Sequence, residues 1–293
     1  MRILVTGGNG QLGRCLADAL PANWQIVRLN RQQLDVTDLS SVQATVSELK
    51  VDFIVNAAAY TLVDKAEQDI AAAEAANIIG PANLAAIAEI NNIPIIHVST
   101  DYVFSGAGDE VSLCENAPTE PLNIYGRTKL LGEQAVMTAN SRAVVIRTSW
   151  LFSEHGNSFV HTMLKLGVER ESLSIINDQF GRPTYAGDLA QCIYTIIQQG
   201  INESKLYHFC GDRRVSWFEF AKEIFAQAKS IDKRYDSLTL LSINSEQYQC
   251  LAVRPKNAIL NCEKIYNERG IYSSDWQIGL GKVVPFIISQ MNN

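Results

Sequence analysis

The sequence lacks the residue patterns that hold a metal ion or a disulfide framework. Its 293 residues include 4 histidines and 6 cysteines, with no C-x-x-C pair and no histidine at ligand spacing. His155 and His161 are too isolated to change this, so we expect neither zinc nor a set of disulfides, and no residue is assigned to a metal. We interpret the cysteines as small core residues or free thiols. They are Cys15, Cys114, Cys192, Cys210, Cys250 and Cys262.

An excess of basic residues is also missing. The formal net charge is −6, which argues against a general affinity for nucleic acid or for anionic membranes. The sequence opens with a strand-like segment rather than a basic flank and an apolar stretch, and no segment is expected to be long enough to span a bilayer. We therefore predict a cytoplasmic protein that binds neither nucleic acid nor membrane.

The sequence does contain a regular alternation of short apolar runs and segments with helical periodicity. The runs are rich in β-branched residues and cover 3–5, 25–29, 53–55, 93–98 and 143–147. This alternation is typical of a parallel sheet with helices on both faces. The sequence therefore predicts an α/β fold, a Rossmann-type doubly wound parallel sheet followed by a smaller C-terminal cap.

The division of the chain follows from where the alternation fades. It does so after Trp150, so we expect residues 1–150 to form most of the sheet, completed by parts of 187–212, and 151–293 to form mainly the cap, with a soft boundary. The alanine-rich segment 71–89 predicts a long helix that Gly80-Pro81 bends or interrupts. Later helices are predicted at 189–197 and 218–228, and later strands at 173–176 and 206–210.

Glycines at positions 7, 10 and 13 follow the first predicted strand directly and precede a helical pattern. Glycine permits a tight turn and a close backbone approach, and a helix N-terminus presents free N–H groups and a partial positive charge. In this context the G-x-x-G-x-x-G spacing predicts a turn that binds the pyrophosphate of a dinucleotide. Gly7, Gly10 and Gly13 are thus predicted cofactor-binding residues, and 1–150 is the predicted NAD(P)-binding domain.

The residues after the second predicted strand bear on which dinucleotide binds. An NAD-specific unit has an acid there for the ribose hydroxyl, but this chain has Asn30-Arg31, which offers a guanidinium to a 2′-phosphate. We predict NADPH with NADH as the alternative, because Arg31 is equally suited to be a solvated surface charge. Asp35-Val36 is placed to lie by the adenine. The small residues of Asn56–Tyr60 either let a cofactor lie close or only pack a helix on the sheet.

A phenol and an ammonium group stand four residues apart, at Tyr125 and Lys129, and so share one face of a predicted helix. A tyrosine with a pKa of about 10 shuttles protons poorly at pH 7, and a cation that lowers this pKa by about three units must supply about 4 kcal/mol. Thr100, at the carboxyl end of the strand 93–98, offers a hydroxyl to a carbonyl oxygen that gains charge. The alternative is that Thr100 and Asp101 only cap the next turn. With the glycine turn, this set predicts a nicotinamide-dependent oxidoreductase.

The whole chain resembles the extended short-chain dehydrogenase/reductase family and, within it, the reductases of dTDP-linked 4-keto-6-deoxy sugars. The glycine-turn and Tyr-x-x-x-Lys motifs are generic to the superfamily. The S-T-D-Y-V-F, R-T-S-W and D-Q-x-G-x-P-T motifs are more specific to these reductases. The motifs are Thr6-Gly7-x-x-Gly10-x-x-Gly13, Val55-Asn56-Ala57-Ala58-Ala59, Val63-Asp64-Lys65-Ala66-Glu67, Ser99-Thr100-Asp101-Tyr102-Val103-Phe104, Tyr125-x-x-x-Lys129, Arg147-Thr148-Ser149-Trp150 and Asp178-Gln179-x-Gly181-x-Pro183-Thr184.

The resemblance implies a reaction and a site. The reaction is NADPH-dependent reduction of the C4 keto group of dTDP-4-dehydro-β-L-rhamnose to dTDP-β-L-rhamnose, the last step in making this sugar for surface polysaccharide. Tyr125 would donate the proton, Lys129 would tune it and hold the nicotinamide ribose, and Thr100 would orient the carbonyl. Segment 179–184 would lie near the cap, beside the nucleotide part of the substrate. Residues matching cofactor contacts are Gly10, Gln11, Leu12, Asn30, Asp35, Val36, Ala59, Tyr60, Thr61 and Val98, and those matching the sugar pocket are Thr100, Asp101, Tyr102 and Trp150.

One position departs from this family. Some members dimerise around a magnesium ion held partly by a glutamate of the first helix, and the matching residue here is Cys15, a poor magnesium ligand. We therefore expect a monomer or a weak homodimer without a bridging metal. Trp150 also has the alternative role of an ordinary core tryptophan.

Three other functions stay open at this point. A sister reductase that gives the other C4 epimer, or acts on a related nucleotide sugar, would use the same catalytic residues. Epimerases and dehydratases share the fingerprint, although a dehydratase would carry acidic partners beside its catalytic threonine and this chain offers one. A non-catalytic NADP-binding regulatory subunit would keep the fold, but intact Thr100, Tyr125 and Lys129 favour an enzyme.

Overall fold

A parallel sheet forms the centre of the structure, a computed structural model that describes residues 1–107 and 112–292. The strands are β1 (Arg2–Thr6), β2 (Gln25–Leu29), β3 (Phe53–Asn56), β4 (Ile95–Thr100), β5 (Ala143–Thr148), β6 (Leu151–Phe152), β7 (Ser172–Ile176), β8 (Phe180–Gly181), β9 (Thr184–Tyr185), β10 (Lys205–His208), β11 (Val215–Ser216) and β12 (Thr239–Ile243). Six of them form one sheet in the order β10-β5-β4-β3-β1-β2, and every neighbouring pair is parallel. The order reverses at β1, which places a cleft at the carboxyl ends of β1 and β3.

Helices cover both faces of this sheet, which confirms the predicted doubly wound α/β fold. They are α1 (Gln11–Asp18), α2 (Leu39–Leu49), α3 (Val63–Ala66), α4 (Ile70–Glu74), α5 (Gly80–Ile90), α6 (Ile124–Ala139), α7 (Phe159–Glu169), α8 (Ala186–Gln199), α9 (Trp217–Lys229), α10 (Glu263–Arg269) and α11 (Trp276–Met291). Successive residues of a strand point to opposite faces, so Ile3 and Val5 pack with α1 and α8 while Leu4 packs with α2 and α5. A separate apolar cluster joins α7, α9 and α11.

The later part of the chain returns to the main sheet. β10 pairs with β5, with Lys205 opposite Val144 and His208 opposite Arg147. Residues after 150 therefore supply one edge of the sheet as well as the second apolar cluster. The division of the chain at residue 150 stays a prediction.

The predicted long helix forms one run of 21 residues, Ile70–Ile90, with a π-helical turn at Ala75–Ile79. Pro81 stands in the first turn of α5, and since proline has no N–H to donate, a widened turn precedes it. By length and composition this run could cross a membrane, which the sequence argument did not expect. Core helices of folded domains pass the same test, and this one packs against α6.

All six cysteines are free thiols, four of them buried. Cys210 Sγ and Cys262 Sγ lie 3.5 Å apart in contact. The expectation of core cysteines and free thiols is confirmed.

Candidate active site

A cavity of about 790 Å³ lies at the carboxyl ends of the central strands. It runs from the turn after β1 to the first turn of α6, so the predicted dinucleotide residues and the predicted reaction centre share one continuous space. The structure brings every predicted site residue to its wall: Gly7, Gly10, Gln11, Leu12, Gly13, Asn30, Arg31, Asp35, Val36, Ala59, Tyr60, Thr61, Val98, Thr100, Asp101, Tyr102, Tyr125, Lys129 and Trp150.

The turn after β1 has positions that only glycine fits. Gly7 has a φ of +68°, and a Cβ there would lie 2.6 Å from the carbonyl oxygen of Ala57. A Cβ at Gly13 would lie 2.7 Å from the carbonyl oxygen of Gly7. Gly10 caps α1 without a side-chain hydrogen bond, so the first N–H groups of α1 remain for an anion such as a pyrophosphate.

Two opposite charges, Arg31 and Asp35, follow β2 and line the same cavity. Arg31 is exposed after β2. The pKa of Asp35 is lowered, first by hydrogen bonds from Thr37 and then by the charge of Arg31. The ionised Asp35 carboxylate partly cancels the positive charge of Arg31. The attraction of this region for a 2′-phosphate is therefore weaker than it would be with Arg31 alone.

The first turn of α6 is held by two hydrogen bonds and a close contact. Asn123 Oδ1 accepts from the Gly126 N–H over 2.8 Å, and the Ile124 N–H donates to Glu67 Oε1 over 2.8 Å. A Cβ at Gly126 would lie 2.2 Å from the carbonyl oxygen of Tyr102. These contacts fix the backbone around Tyr125 and press it against the turn that follows β4.

Tyr125 is half-buried and Lys129 is buried, and loss of solvent shifts their pKa values in opposite directions. Burial raises the pKa of Tyr125 to about 12, with a hydrogen bond to Thr100 lowering it and the Asp101 charge raising it. Burial lowers the pKa of Lys129 to about 8, against the effect of Glu133, and Lys129 Nζ donates to the Val98 carbonyl over 2.7 Å. The expected lowering of the phenol pKa is thus not seen, because burial outweighs the other effects. The protonated phenol is the form that a proton donor needs.

Thr100 has the capping role that the sequence offered as one of two alternatives. Its Oγ1 accepts from the Tyr102 N–H over 3.2 Å and so caps the short helical turn Asp101–Val103. The same hydroxyl donates to Asp101 Oδ1 over 3.1 Å and lies close enough to the Tyr125 phenol to lower its pKa. Burial raises the pKa of Asp101 to about 7, with the Thr100 hydrogen bond lowering it.

A stack of two indoles forms another part of the cavity wall. Trp150 has a φ of +46°, an unfavourable conformation for a bulky residue, and its ring stacks on Trp217 with centroids 3.4 Å apart. A Cβ at Gly181 would lie 2.3 Å from the Trp150 ring, so the glycine of the D-Q-x-G-x-P-T motif leaves room for the indole. Segment 179–184 therefore contacts the Trp150 ring, and none of its residues lines the cavity. Sequence reasoning missed Trp217.

The V-D-K-A-E motif also has a structural role that sequence reasoning missed. Asp64 Oδ1 accepts from the N–H groups of Leu251 and Ala252, 3.0 Å each, and its other oxygen lies 2.5 Å from Arg254 Nη2. The motif thus fastens the segment 251–254, which we call the cap loop, beside Tyr102, while its Glu67 binds the start of α6. The family resemblance was the only signal for these two carboxylates.

Asn77, in the π-helical turn, connects the two ends of the cavity. It is 0% exposed. Its Oδ1 accepts from the Tyr60 N–H over 2.8 Å, and its Nδ2 donates to the Tyr60 carbonyl and to Thr128 Oγ1. Gly132 of α6 lets the turn approach, since a Cβ there would lie 2.0 Å from the Asn77 carbonyl oxygen. The nearby glycine and proline were the only sequence signal for this turn.

A doubly wound sheet whose cavity joins a glycine-rich helix N-terminus to a Tyr/Lys pair on one face of α6 defines a nicotinamide-dependent oxidoreductase of the extended short-chain dehydrogenase/reductase class. The chain belongs to the family described as the RmlD substrate binding domain, whose model matches residues 1–287. This confirms the resemblance found in the sequence.

Relatives in this family match almost the full length. The chain is 39% identical over 289 residues to the dTDP-4-dehydrorhamnose reductase of Aggregatibacter actinomycetemcomitans, covering 96% of this chain and 98% of that protein. The crystal structure of dTDP-4-dehydrorhamnose reductase from Bacillus anthracis in complex with NADP matches with a TM-score of 0.90 and 36% identity, covering 98% of this chain and 99% of that one. A dTDP-4-dehydrorhamnose reductase from Clostridium acetobutylicum matches with a TM-score of 0.91 and 34% identity over 100% of both chains.

Proposed function

We propose that this protein reduces the C4 keto group of dTDP-4-dehydro-β-L-rhamnose with NADPH to give dTDP-β-L-rhamnose, the last step in making this sugar for surface polysaccharide. The observation that carries the proposal is the continuous cavity with a glycine-lined helix N-terminus at one end and a protonated Tyr125 at the other. Full-length relatives named for this reaction support it.

The residues present fit NADPH. The Gly7–Gly13 turn is a cradle that side chains would fill, and the free N–H groups of α1 would hold the pyrophosphate. Asp35 and Val36 would lie by the adenine and Arg31 by the 2′-phosphate. When bound, the nicotinamide supplies the hydride. The relative from Bacillus anthracis that binds NADP supports this choice.

The chain's own residues would handle the proton. Tyr125 would donate its hydroxyl proton to the C4 oxygen as that oxygen gains negative charge, and Thr100 would orient the carbonyl. The phenolate left on Tyr125 needs a nearby cation, and Lys129 is the ammonium on the same face of α6. Because the pKa of Lys129 is lowered to about 8, it is mostly charged at pH 7, and it would also hold the nicotinamide ribose.

The sugar pocket would be formed by Asp101, Tyr102 and Trp150 together with Thr100. Tyr102 packs edge-on against the Tyr125 ring, with centroids 5.5 Å apart, and Trp150 offers an apolar face. We further propose that the protein is a monomer or a weak homodimer and works in the cytoplasm.

The proposal is tested by supplying the enzymatically generated keto sugar, following NADPH oxidation by absorbance, and identifying the product by NMR. Tyr125→Phe should lower the rate by about 10²–10⁴-fold and leave NADPH affinity within about twofold. Tyr272→Phe, which removes the hydroxyl of a side chain that is 74% exposed, is the matched control and should behave like the wild type. The rate with NADH in place of NADPH measures the cofactor preference.

Two results would change the conclusion. Rapid oxidation that yields the other C4 epimer would keep the mechanism and contradict the proposed product. Tight NADPH binding without oxidation of NADPH would contradict the reductase and favour a regulatory docking protein.

A further inference from the structure

A group of metal-ligating side chains lies beside the dinucleotide turn, on the α1 side. Cys15 Sγ, a carboxylate oxygen of Glu154 and a ring nitrogen of His155 all lie within 4.8 Å of one another. We propose that these three side chains bind a Zn²⁺ ion within a single chain, joining α1 to the segment 153–156 that follows β6. This differs from a magnesium ion between two subunits, for which Cys15 is unsuited.

Glu154 carries a buried oxygen that the rest of the protein does not use. Its Oε1 accepts a hydrogen bond from the Tyr185 hydroxyl over 3.1 Å. Its Oε2 is buried and has no hydrogen-bond partner in the part of the chain that the structure describes. A buried carboxylate oxygen without a partner is unfavourable, and a cation between Glu154 and Cys15 would satisfy it.

Cys15 packs in the apolar cluster around α1 and also turns its sulfur toward two other ligand atoms. The side chain is 2% exposed, and Sγ lies within 4.8 Å of the Glu154 carboxylate and of a His155 ring nitrogen. A neutral thiol is only a weak hydrogen-bond donor to that carboxylate. A zinc ion would deprotonate the thiol and neutralise both groups.

His155 has the outer partner that metal-binding imidazoles usually have. Asp18 Oδ2 lies 2.5 Å from His155 Nε2, and Asp18 follows Cys15 by three residues, so both are on the same side of α1. A carboxylate in this position orients an imidazole ligand and raises its basicity.

The chemistry of this ligand set favours zinc. Thiolate, imidazole and carboxylate are its usual ligands, and bonds of about 2.0–2.3 Å place the ligand atoms of a tetrahedral site roughly 3.5 Å apart. The distances between the three ligand atoms would therefore shorten by up to about 1.3 Å, leaving a fourth position for water. Ser153 Oγ lies 3.2 Å from Gln11 Oε1, so a zinc ion here would stiffen the segment that borders the dinucleotide turn.

The test uses the full chain, stripped of metal by a chelator and titrated with Co²⁺, whose bond to a thiolate gives a charge-transfer absorption. We expect one Co²⁺ per chain with that absorption, its displacement by Zn²⁺, and a higher melting temperature with Zn²⁺. Cys15→Ser should abolish the absorption, whereas Cys192→Ser, at another buried cysteine, should keep it. Asp18→Asn should weaken Co²⁺ binding by about 10–100-fold.

Retained NADPH binding shows that a variant is folded. His155→Asn is the second variant, because asparagine is smaller than histidine and removes the imidazole from a side chain that is 17% exposed. The proposal is overturned if the wild type gives no thiolate absorption with Co²⁺, or if folded Cys15→Ser or His155→Asn binds Co²⁺ as tightly as the wild type.

Discussion

Replacing Asp101 by asparagine should change how stability depends on pH. The carboxyl is 3% exposed, and burial raises its pKa from the ordinary 3.8 to about 7. The folded protein therefore holds this proton more tightly than the unfolded chain does. Stability from this group is present at low pH and is lost as the pH rises from about 4 to about 7.

The size of the effect follows from the shift. Relative to low pH, Asp101 costs the folded protein about 4 kcal/mol above pH 8, where its carboxyl is ionised in both states, and about 1.5 kcal/mol at pH 5, where it is ionised mainly in the unfolded chain. An asparagine carries no such cost, and its amide oxygen can still accept the hydrogen bond that Thr100 donates to Asp101. Relative to the wild type, Asp101→Asn should thus gain roughly 2–3 kcal/mol more stability at pH 8.5 than at pH 5.

Urea unfolding of both proteins across this range measures the effect. Asp236→Asn, at an exposed carboxylate, is the matched control and should leave the pH dependence as it is. A stability difference between Asp101→Asn and the wild type that stays constant from pH 5 to pH 8.5 would refute the reasoning.

Three further predictions concern other contacts. Gly13→Ala should raise the Kd for NADPH at least about tenfold, because the new Cβ would lie 2.7 Å from backbone atoms. Gly281→Ala, whose Cβ would have nothing within 4 Å, is the control and should leave the Kd unchanged. Equal Kd values for the two variants in an NADPH titration would contradict this prediction. Asp64→Asn should free the cap loop and raise the KM for the sugar with little effect on NADPH affinity, and steady-state kinetics with an unaltered KM would argue against that role. Arg147→Met should lower the free energy of unfolding in urea by about 3–5 kcal/mol, because Glu133 would stay buried without the guanidinium that lies 2.7 Å from it. A decrease below about 1 kcal/mol would show that the Glu133 carboxylate finds another partner.

The fold could be predicted because strands buried on both faces appear in the sequence as short, continuous apolar runs. The predicted strand 93–98 is observed at Ile95–Thr100, and the predicted helix 218–228 at Trp217–Lys229. The π-helical turn was missed because hydrophobic periodicity does not distinguish one widened turn within a long helix.

The wall of the candidate site could be predicted where a residue follows directly from a strand or shares a helix face, as Tyr125 and Lys129 do. Residues that act through tertiary contacts could not, because nothing local marks them. His155 was judged isolated because it is far from Cys15 in the sequence, and only the packing of α1 against segment 153–156 brings the two together. The effect of burial on the phenol pKa likewise requires the folded structure.

Asn77 has a consequence for how such a protein can change its substrate. One amide side chain holds both the backbone at Tyr60, on the cofactor side, and α6, on the side of the proton donor. A substitution of Asn77 should therefore weaken cofactor affinity and turnover together, because both depend on this one side chain. A new sugar preference would have to arise around Trp150, Trp217 and the cap loop. Side chains there can change without altering how Asn77 positions the cofactor side of the cavity relative to α6.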